Sequence, residues 1–212
     1  MTDDVTSVHR ASTWNVANGL TGFRLLLVPV FAVLLMHDGG DRTAWRVAAF
    51  VAFVVASVTD RFDGELARRR GLVTDLGTIA DPIADKALTG AALVGLSLLG
   101  ELPWWVTAIV LAREVGITLL RFVVIRHGVM PASRGGKLKT LLQGVAIGLY
   151  VLPLSGAAVT VAQAVMAVAV IVTVITGADY LLRAARLRRT SERTARKRAA
   201  REARSRASGS RP

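Results

Sequence analysis

The longest uncharged stretch of the chain limits its fold more than any other feature. From Thr140 to Ala178 there are 39 consecutive residues without Asp, Glu, Lys or Arg. A helix of about 20 residues crosses the roughly 30 Å apolar core of a bilayer, so this run is too long for one crossing and long enough for two. Pro153, Ser155 and Gly156 divide the run, which predicts two transmembrane helices joined by a short turn.

Earlier apolar runs predict four further membrane helices. Hydrophobic residues make up 52% of the sequence, a share that favours a membrane protein over an ordinary soluble one. The predicted fold class is therefore all-α, a polytopic membrane protein with six transmembrane helices. The predicted spans cover approximately residues 20–36, 44–70, 79–99, 104–126, 137–153 and 158–184.

The distribution of positive charge predicts the orientation in the membrane. Lys and Arg are concentrated after the second, fourth and sixth predicted helices, whereas the turns at 100–103 and 153–157 contain none, and the turn at 37–42 contains only Arg42, close to Arg46. Because Lys and Arg are enriched on the cytoplasmic side, both termini are expected to be cytoplasmic in a multi-pass protein of the cell membrane. The predicted regions are a cytoplasmic arm (1–14), a membrane domain (15–184) and a basic cytoplasmic tail (185–212), either disordered or at the membrane surface.

The net charge of +12 comes mainly from the C-terminal tail. Residues 183–212 contain twelve Lys or Arg and only two Glu. A basic segment directly after a membrane helix is typical of an anchor for anionic lipid headgroups. Nucleic-acid binding is not expected, since no aromatic platform or folded module accompanies the charge. The absence of cysteine excludes disulfides, thiolate metal sites and cysteine nucleophiles.

One segment at the predicted cytoplasmic surface is unusually rich in acidic side chains. Asp60 and Asp63 are three residues apart at the end of the second predicted helix, and Asp81 and Asp85 are four apart at the start of the third. Both spacings place the members of a pair on one helical face. Four carboxylates converging in a medium of low dielectric constant repel each other unless cations are bound, and all-oxygen ligation selects Mg²⁺ or Mn²⁺ over zinc. The sequence therefore predicts a metal site.

Small and basic residues accompany these carboxylates. Gly64 and Ala67 lie on or beside the helical face of Asp60, where their small size lets a ligand approach the backbone, and Gly77 can do the same in the linker. Arg68 is suited to a charge-assisted contact with phosphate. Each feature alone also has a structural explanation: a solvated helix cap, a topology signal or a helix contact in lipid.

Together these residues resemble the signature of the CDP-alcohol phosphatidyltransferase family. Proteins of this family are six-helix membrane enzymes, usually homodimers, in which an acceptor hydroxyl displaces CMP from a CDP-linked alcohol or lipid. The resemblance covers about residues 14–143 and implies an active site that faces the cytoplasm. All eight signature positions match in type and spacing, namely Asp60, Asp63, Gly64, Ala67, Arg68, Gly77, Asp81 and Asp85.

The resemblance also implies roles for individual residues. Two divalent cations, Mg²⁺ or Mn²⁺, would be bound, one by Asp60, Asp63 and Asp81 and the other by Asp60, Asp81 and Asp85. Asp85 would also be the catalytic base that takes the proton from the acceptor hydroxyl. Contacts with the CDP-lipid would come from Gly64, Ala67, Arg68, Thr74 and Gly77. The first helix adds further candidates to line the nucleotide site, Asn15, Asn18, Thr21 and Arg24, although Asn18 is equally suited to cap that helix.

Three looser motifs concern the acceptor alcohol. The stretches NVANGLTGFR (15–24), AREVGITLLR (112–121) and GKLKT (136–140) are similar to those of a subfamily whose acceptor is glycerol 3-phosphate. The resemblance thus predicts CDP-diacylglycerol and glycerol 3-phosphate as substrates, with membrane lipids and a second copy of the chain as partners. The alternatives within the family are phosphatidylglycerol, as in a cardiolipin synthase, and inositol phosphate, as in a phosphatidylinositol-phosphate synthase.

Four cations are candidates for binding the phosphate of the acceptor. Arg113 lies within an apolar helix. An unpaired charge there is unfavourable, so a charged residue at this position indicates a function. A phosphate dianion is bound best by several cations together. The candidate set is Arg113, Arg121, Lys137 and Lys139. Alternatively, Arg113 pairs with Glu114 or an Asp and only holds helices together, while Lys137 and Lys139 extend to the membrane interface.

A more distant alternative is an ion-coupled transporter, which also keeps Asp and Arg among its helices. That class predicts ionisable residues near the bilayer midplane and an internal repeat. Here the Asp cluster lies at one predicted face and the sequence shows no repeat, so the enzyme is favoured.

Overall fold

The part of the chain that the structure describes is built from helices joined by turns. This computed structural model describes the backbone of residues 16–70, 75–124 and 134–209, and the side chains of residues 19–59, 83–84, 86–120 and 138–184. Within these ranges there is no β-strand, which confirms the all-α prediction. The helices are α1 (Val16–Met36), α2 (Thr43–Arg70), α3 (Asp75–Leu98), α4 (Trp104–Val124), α5 (Arg134–Val151) and α6 (Ala157–Gly209).

These six helices match the six predicted spans in order and in most of their bounds. A short 3₁₀ helix, His37–Gly40, forms the turn after α1. α3 begins at Asp75, earlier than the predicted 79, so Asp81 lies in its second turn. α6 continues without interruption to Gly209, through residues that the sequence assigns to a separate tail. At 1.5 Å per residue its 53 residues extend for about 80 Å.

Glycines with a left-handed backbone make two of the turns. Gly40 has a φ of 81°, and a Cβ built there would lie 2.9 Å from Leu99 Cδ1. Any larger residue at this position would therefore be strained by both its φ and its neighbour. Gly156, with a φ of 57°, precedes α6 and divides the long uncharged run where the sequence predicts.

The core is formed by one face of each helix. α1 packs against α2 and α3, and α6 packs against α4 and α5. The rings of Phe31 and Phe53 have centroids 5.8 Å apart in this core, and Leu93, Leu96 and Ile147 are almost completely buried within it. Small residues permit the close approach of helices.

The outer surface of the helices is apolar. Large hydrophobic side chains on all six helices are exposed, including Leu26 (61%), Leu119 (60%) and Ile175 (62%). Two helical segments in the described part, Gly19–Gly40 and Ala157–Ala184, are long and apolar enough to cross a membrane. Three shorter apolar segments, Thr43–Thr59, Lys86–Leu98 and Leu138–Val151, accompany them. A soluble monomer rarely exposes so much contiguous apolar surface.

Candidate active site

The four acidic residues of the predicted metal site lie on two consecutive helices. Asp60 and Asp63 belong to the C-terminal part of α2, and Asp81 and Asp85 to α3. Their side chains lie outside the described residues. The helical backbone at all four positions agrees with the predicted one-face spacing of each pair. The side chains that the structure does describe contain no group of three or more His, Cys, Asp and Glu that could hold a metal ion.

Several other predicted site residues also lie outside the described side chains. Thr74 lies between α2 and α3, outside the described backbone as well. The remainder belong to helices whose backbone is described, and they are Asn18, Gly64, Ala67, Arg68, Gly77, Arg121 and Lys137.

A cavity of about 460 Å³ adjoins the helix segments that carry the signature. Val58 and Lys86 line it, and they are close neighbours in sequence of Asp60 and Asp85. The other polar side chains on its wall include Arg24, Glu114 and Lys139. Its apolar wall comes mainly from α2 and α5, including Phe50, Phe53, Val54, Leu141, Val145 and Leu149. The cavity therefore has cations in one part and hydrocarbon along the rest.

Two residues of α1 face the interior near this cavity. Thr21 is 4% exposed and Arg24 is 1% exposed. Their spacing of three residues puts both on one face of the helix. Arg24 also lines the cavity. The structure thus brings Arg24 to the same cavity as Lys139, a predicted phosphate ligand.

A partly buried carboxylate connects two of the predicted acceptor-binding cations. Glu114 on α4 accepts hydrogen bonds from Lys139 Nζ on α5 and, at 3.2 Å, from Arg113. Arg113 also donates to Thr176 Oγ1 of α6 at 3.4 Å. The predicted pairing of Arg113 with Glu114 is thus present. Because Glu114 holds two cations, the group retains one net positive charge, which is compatible with binding an anion.

Gly177 is a residue of this site that the sequence does not indicate. A Cβ built at Gly177 would lie 3.2 Å from Arg113 Cγ. The missing side chain therefore gives Arg113 room to lie across α6 and reach Thr176. Arg113 and Thr176 are 63 positions apart in sequence, so no local pattern reveals the contact.

A second ion pair, with a buried arginine, lies near the other end of α5. Arg46 on α2 is 3% exposed and forms a two-pronged pair with Glu101, in which its NH2 group lies 2.7 Å from Glu101 Oε2. The same guanidinium donates to two carbonyl oxygens at the end of α5, Val151 O at 2.8 Å and Tyr150 O at 2.6 Å. Arg46 thus joins the start of α2, the α3–α4 turn and the end of α5.

The fold and cavity together define a class of protein. An apolar helical bundle with a cavity that is partly cationic and partly hydrocarbon is suited to a lipid with an anionic headgroup. The two helices beside such a cavity, α2 and α3, carry the carboxylates that the sequence predicts as metal ligands. These features suit a helical protein that binds an anionic phospholipid.

Comparison with known proteins assigns the family. Residues 14–175 match the profile of the CDP-alcohol phosphatidyltransferase family. The chain is 58% identical over 177 residues to a Mycobacterium tuberculosis protein named "Probable phosphatidylglycerophosphate synthase", covering 84% of this chain and 85% of that one. It is 34% identical over 180 residues to the Bacillus subtilis "CDP-diacylglycerol--glycerol-3-phosphate 3-phosphatidyltransferase", covering 79% and 93%. A Rickettsia typhi protein of the same name is 35% identical over 171 residues, covering 78% and 94%.

The chain belongs to the CDP-alcohol phosphatidyltransferase family. This confirms the resemblance inferred from the signature between Asp60 and Asp85.

Proposed function

We propose that this chain transfers the phosphatidyl group of CDP-diacylglycerol to glycerol 3-phosphate, giving phosphatidylglycerophosphate and CMP. The observation that carries the proposal is the 58% identity over 84% of the chain with a protein named phosphatidylglycerophosphate synthase. Relatives from two further genera, named for the same transfer, support it. The partly cationic, partly apolar cavity has the chemistry that a CDP-linked lipid requires.

The enzyme is proposed to be a multi-pass protein of the cell membrane, with residues 15–184 forming six spans and both termini in the cytoplasm. The exposed apolar helix surfaces support membrane embedding. Trp104 and Trp105 at the start of α4 are 54% and 60% exposed, as expected of side chains at a membrane interface. A homodimer embedded among membrane lipids is part of the same proposal.

The lipid substrate is proposed to lie with its hydrocarbon against α2 and α5. The apolar wall of the cavity is formed by these helices, and Gly144 and Gly148 leave it without side chains at two points. Space at Gly148 is limited, because a Cβ there would lie 3.3 Å from Phe50 Cε2. An acyl chain can therefore pack along this wall while the headgroup reaches the polar part.

The predicted metal ligands fit two divalent cations. Their chemistry is that of four carboxylates, and helical backbone at all four positions keeps each pair on one face. One cation would be held by Asp60, Asp63 and Asp81, the other by Asp60, Asp81 and Asp85. When bound, the cations neutralise charge on the pyrophosphate and on the leaving CMP.

The remaining chemistry is assigned to side chains of the chain. Asp85 accepts the proton of the attacking hydroxyl of glycerol 3-phosphate. The hydroxyl oxygen forms a bond with the phosphorus that carries diacylglycerol, and the bond from that phosphorus to the bridging oxygen of CMP breaks. Arg68 stabilises the nucleotide phosphates, while Gly64, Ala67, Thr74 and Gly77, with Asn18 and Thr21, form the rest of the nucleotide site. No covalent intermediate with the enzyme is required.

The acceptor phosphate is proposed to bind the cations Arg113, Arg121, Lys137 and Lys139. Lys139 supports this assignment because it is 3% exposed and lines the cavity. Glu114 fixes Lys139 and Arg113 relative to each other. A carboxylate that holds two cations orients them before the substrate arrives, which reduces the entropy lost on binding.

An acceptor panel tests this function. Purified protein in detergent is supplied with CDP-diacylglycerol, Mg²⁺ or Mn²⁺, and one acceptor at a time, and CMP release is measured. We expect release with glycerol 3-phosphate, but not with inositol phosphate or phosphatidylglycerol, and not after chelation of the metal. Release with phosphatidylglycerol alone would instead identify a cardiolipin synthase.

A further inference from the structure

Gln143 is a buried polar side chain to which the proposed reaction assigns no role. It lies on α5, is 5% exposed and lines the cavity beside Lys139. Its amide oxygen Oε1 is buried and has no hydrogen-bond partner among the residues that the structure describes. A buried amide oxygen without a donor is unfavourable, and folded proteins rarely keep one without a reason. A molecule bound in the cavity can supply the missing donor.

Helix geometry places Gln143 at the boundary between the polar and apolar parts of the cavity. Lys139 lies four residues earlier, so it shares the same face of α5 and is about 6 Å away along the helix axis. Gly144 and Gly148 follow on the apolar wall. Gln143 is therefore one helical turn from the cation proposed for the acceptor phosphate. This separation is comparable to the length of glycerol 3-phosphate.

The chemistry of the amide oxygen selects its ligand. Oε1 accepts hydrogen bonds, so its ligand must donate one. The diacylglycerol part of the lipid substrate has ester oxygens, which only accept, and the donors of its CDP part, the ribose hydroxyls and the cytosine amine, belong to the nucleotide site proposed above. Glycerol 3-phosphate carries two hydroxyl groups, of which one attacks phosphorus and the other does not react.

We propose that Gln143 Oε1 accepts a hydrogen bond from the unreactive hydroxyl of glycerol 3-phosphate and thereby contributes to the selection of the acceptor. This inference rests on the proposed function and adds a specificity-determining residue to it. The hydroxyl supplies the donor that Oε1 lacks in the protein alone. Binding of the acceptor therefore removes the free-energy cost of a buried oxygen without a hydrogen bond.

The test compares two acceptors in two enzymes. Wild-type protein and Gln143→Leu are assayed for CMP release with glycerol 3-phosphate and with 3-hydroxypropyl phosphate, which lacks the hydroxyl at carbon 2. In wild-type protein we expect loss of this hydroxyl to raise KM roughly fivefold to tenfold, as for one neutral hydrogen bond. In Gln143→Leu we expect the two acceptors to have similar KM values, with KM for CDP-diacylglycerol unchanged. This coupling between side chain and hydroxyl is not produced by a purely structural residue.

Thermal stability and a control variant complete the test. Gln143→Leu removes an unpaired buried amide, so its melting temperature is expected to equal or exceed that of wild-type protein. Gln163→Leu alters an exposed glutamine that lines a separate cavity beside Arg46 and Glu101, and we expect it to leave both KM values unchanged. An equal hydroxyl effect in wild-type protein and Gln143→Leu, or a raised KM for CDP-diacylglycerol alone, overturns the assignment of Gln143 but not the function. Absence of CMP release by wild-type protein with glycerol 3-phosphate overturns both.

Discussion

Near each end of α5 a buried Arg or Lys is paired with a Glu. The two pairs differ in how many of their hydrogen-bonding groups have a partner within the protein. At the C-terminal end, the guanidinium of Arg46 donates hydrogen bonds to Glu101 and to the carbonyl oxygens of Tyr150 and Val151. At the N-terminal end, Glu114 is shared by two cations, and Arg113 Nε has no partner within the described part of the chain. The second end also adjoins the larger cavity.

The difference separates structural from functional polar groups. A buried arginine whose hydrogen bonds are all made within the protein is not available to a ligand, and it holds helices together. A buried group beside a cavity that lacks a hydrogen-bond partner is unfavourable until a substrate supplies that partner. The end at Arg46 is therefore expected to govern stability and the end at Glu114 to govern the reaction.

The largest effect is expected at the reactive end, from Asp85→Asn. Loss of the proposed base and metal ligand should lower CMP release by roughly 10³-fold or more. The melting temperature should change little, because the substitution preserves shape. Asp38→Asn is the matched control at the opposite side of the molecule, where the half-exposed Asp38 pairs with the exposed Arg42 at 2.9 Å and lies 3.8 Å from His37 Nε2, and its activity should equal that of wild-type protein. Full activity in Asp85→Asn would refute the assignment of the base.

The next effect is expected at the structural end, from Arg46→Met. This variant leaves two helix-terminal carbonyls without their donor, and also removes the partner of the partly exposed Glu101, so unfolding should become easier by about 3 kcal/mol. The melting temperature in detergent should fall while both KM values of the folded protein stay unchanged. Arg183→Met removes an exposed pair with Asp179 and should cost less than about 1 kcal/mol. If Arg46→Met instead raised KM for either substrate and left the melting temperature unchanged, the end of α5 at Arg46 would not have a purely structural role.

A smaller, selective effect is expected from Lys139→Met. Loss of a charged hydrogen bond to the acceptor phosphate should raise KM for glycerol 3-phosphate roughly 10- to 100-fold, with a much smaller change in KM for CDP-diacylglycerol. Lys139→Arg keeps the charge and should retain most of the affinity. Equal increases in both KM values would indicate that Lys139 supports the cavity as a whole instead of binding the acceptor.

The smallest effect is expected from Gly177→Ala. The added methyl group contacts Arg113, which must shift, so KM for glycerol 3-phosphate should rise by roughly fivefold. Gly116→Ala on α4 is the matched control, because a Cβ there meets nothing within 4 Å, and it should be neutral or slightly stabilising. If both variants behave alike, Gly177 has no part in positioning Arg113.

The sequence predicts the helices well because the signals for them are local. Uncharged runs, Pro153 and Gly156 predict where membrane-type helices begin and end, and the structure places breaks at these points. The family was equally accessible, since the eight signature residues lie within 26 positions and their spacing can be read directly. The predicted span boundaries differ most at α6, which continues to Gly209, because the change from apolar to basic residues ends a membrane span without ending a helix.

Residues that act through distant contacts could not be predicted in the same way. In the sequence, Arg46 is only a cation close to a turn predicted to lie on the non-cytoplasmic side. The fold shows that its side chain is buried and paired with Glu101, 55 positions away. Gln143 lies in an uncharged run, where a lone glutamine gives no sign of facing a cavity. Their roles depend on which helix faces lie together, and this is decided by packing.

The sequence by itself thus determined the family and the helical class, because spacing along a helix and the length of an apolar run are local properties. Only the tertiary structure decided which buried polar groups make all their hydrogen bonds within the protein and which can still bind a ligand. That distinction requires knowing how many hydrogen bonds each buried group makes, and most of those bonds join residues far apart in the chain.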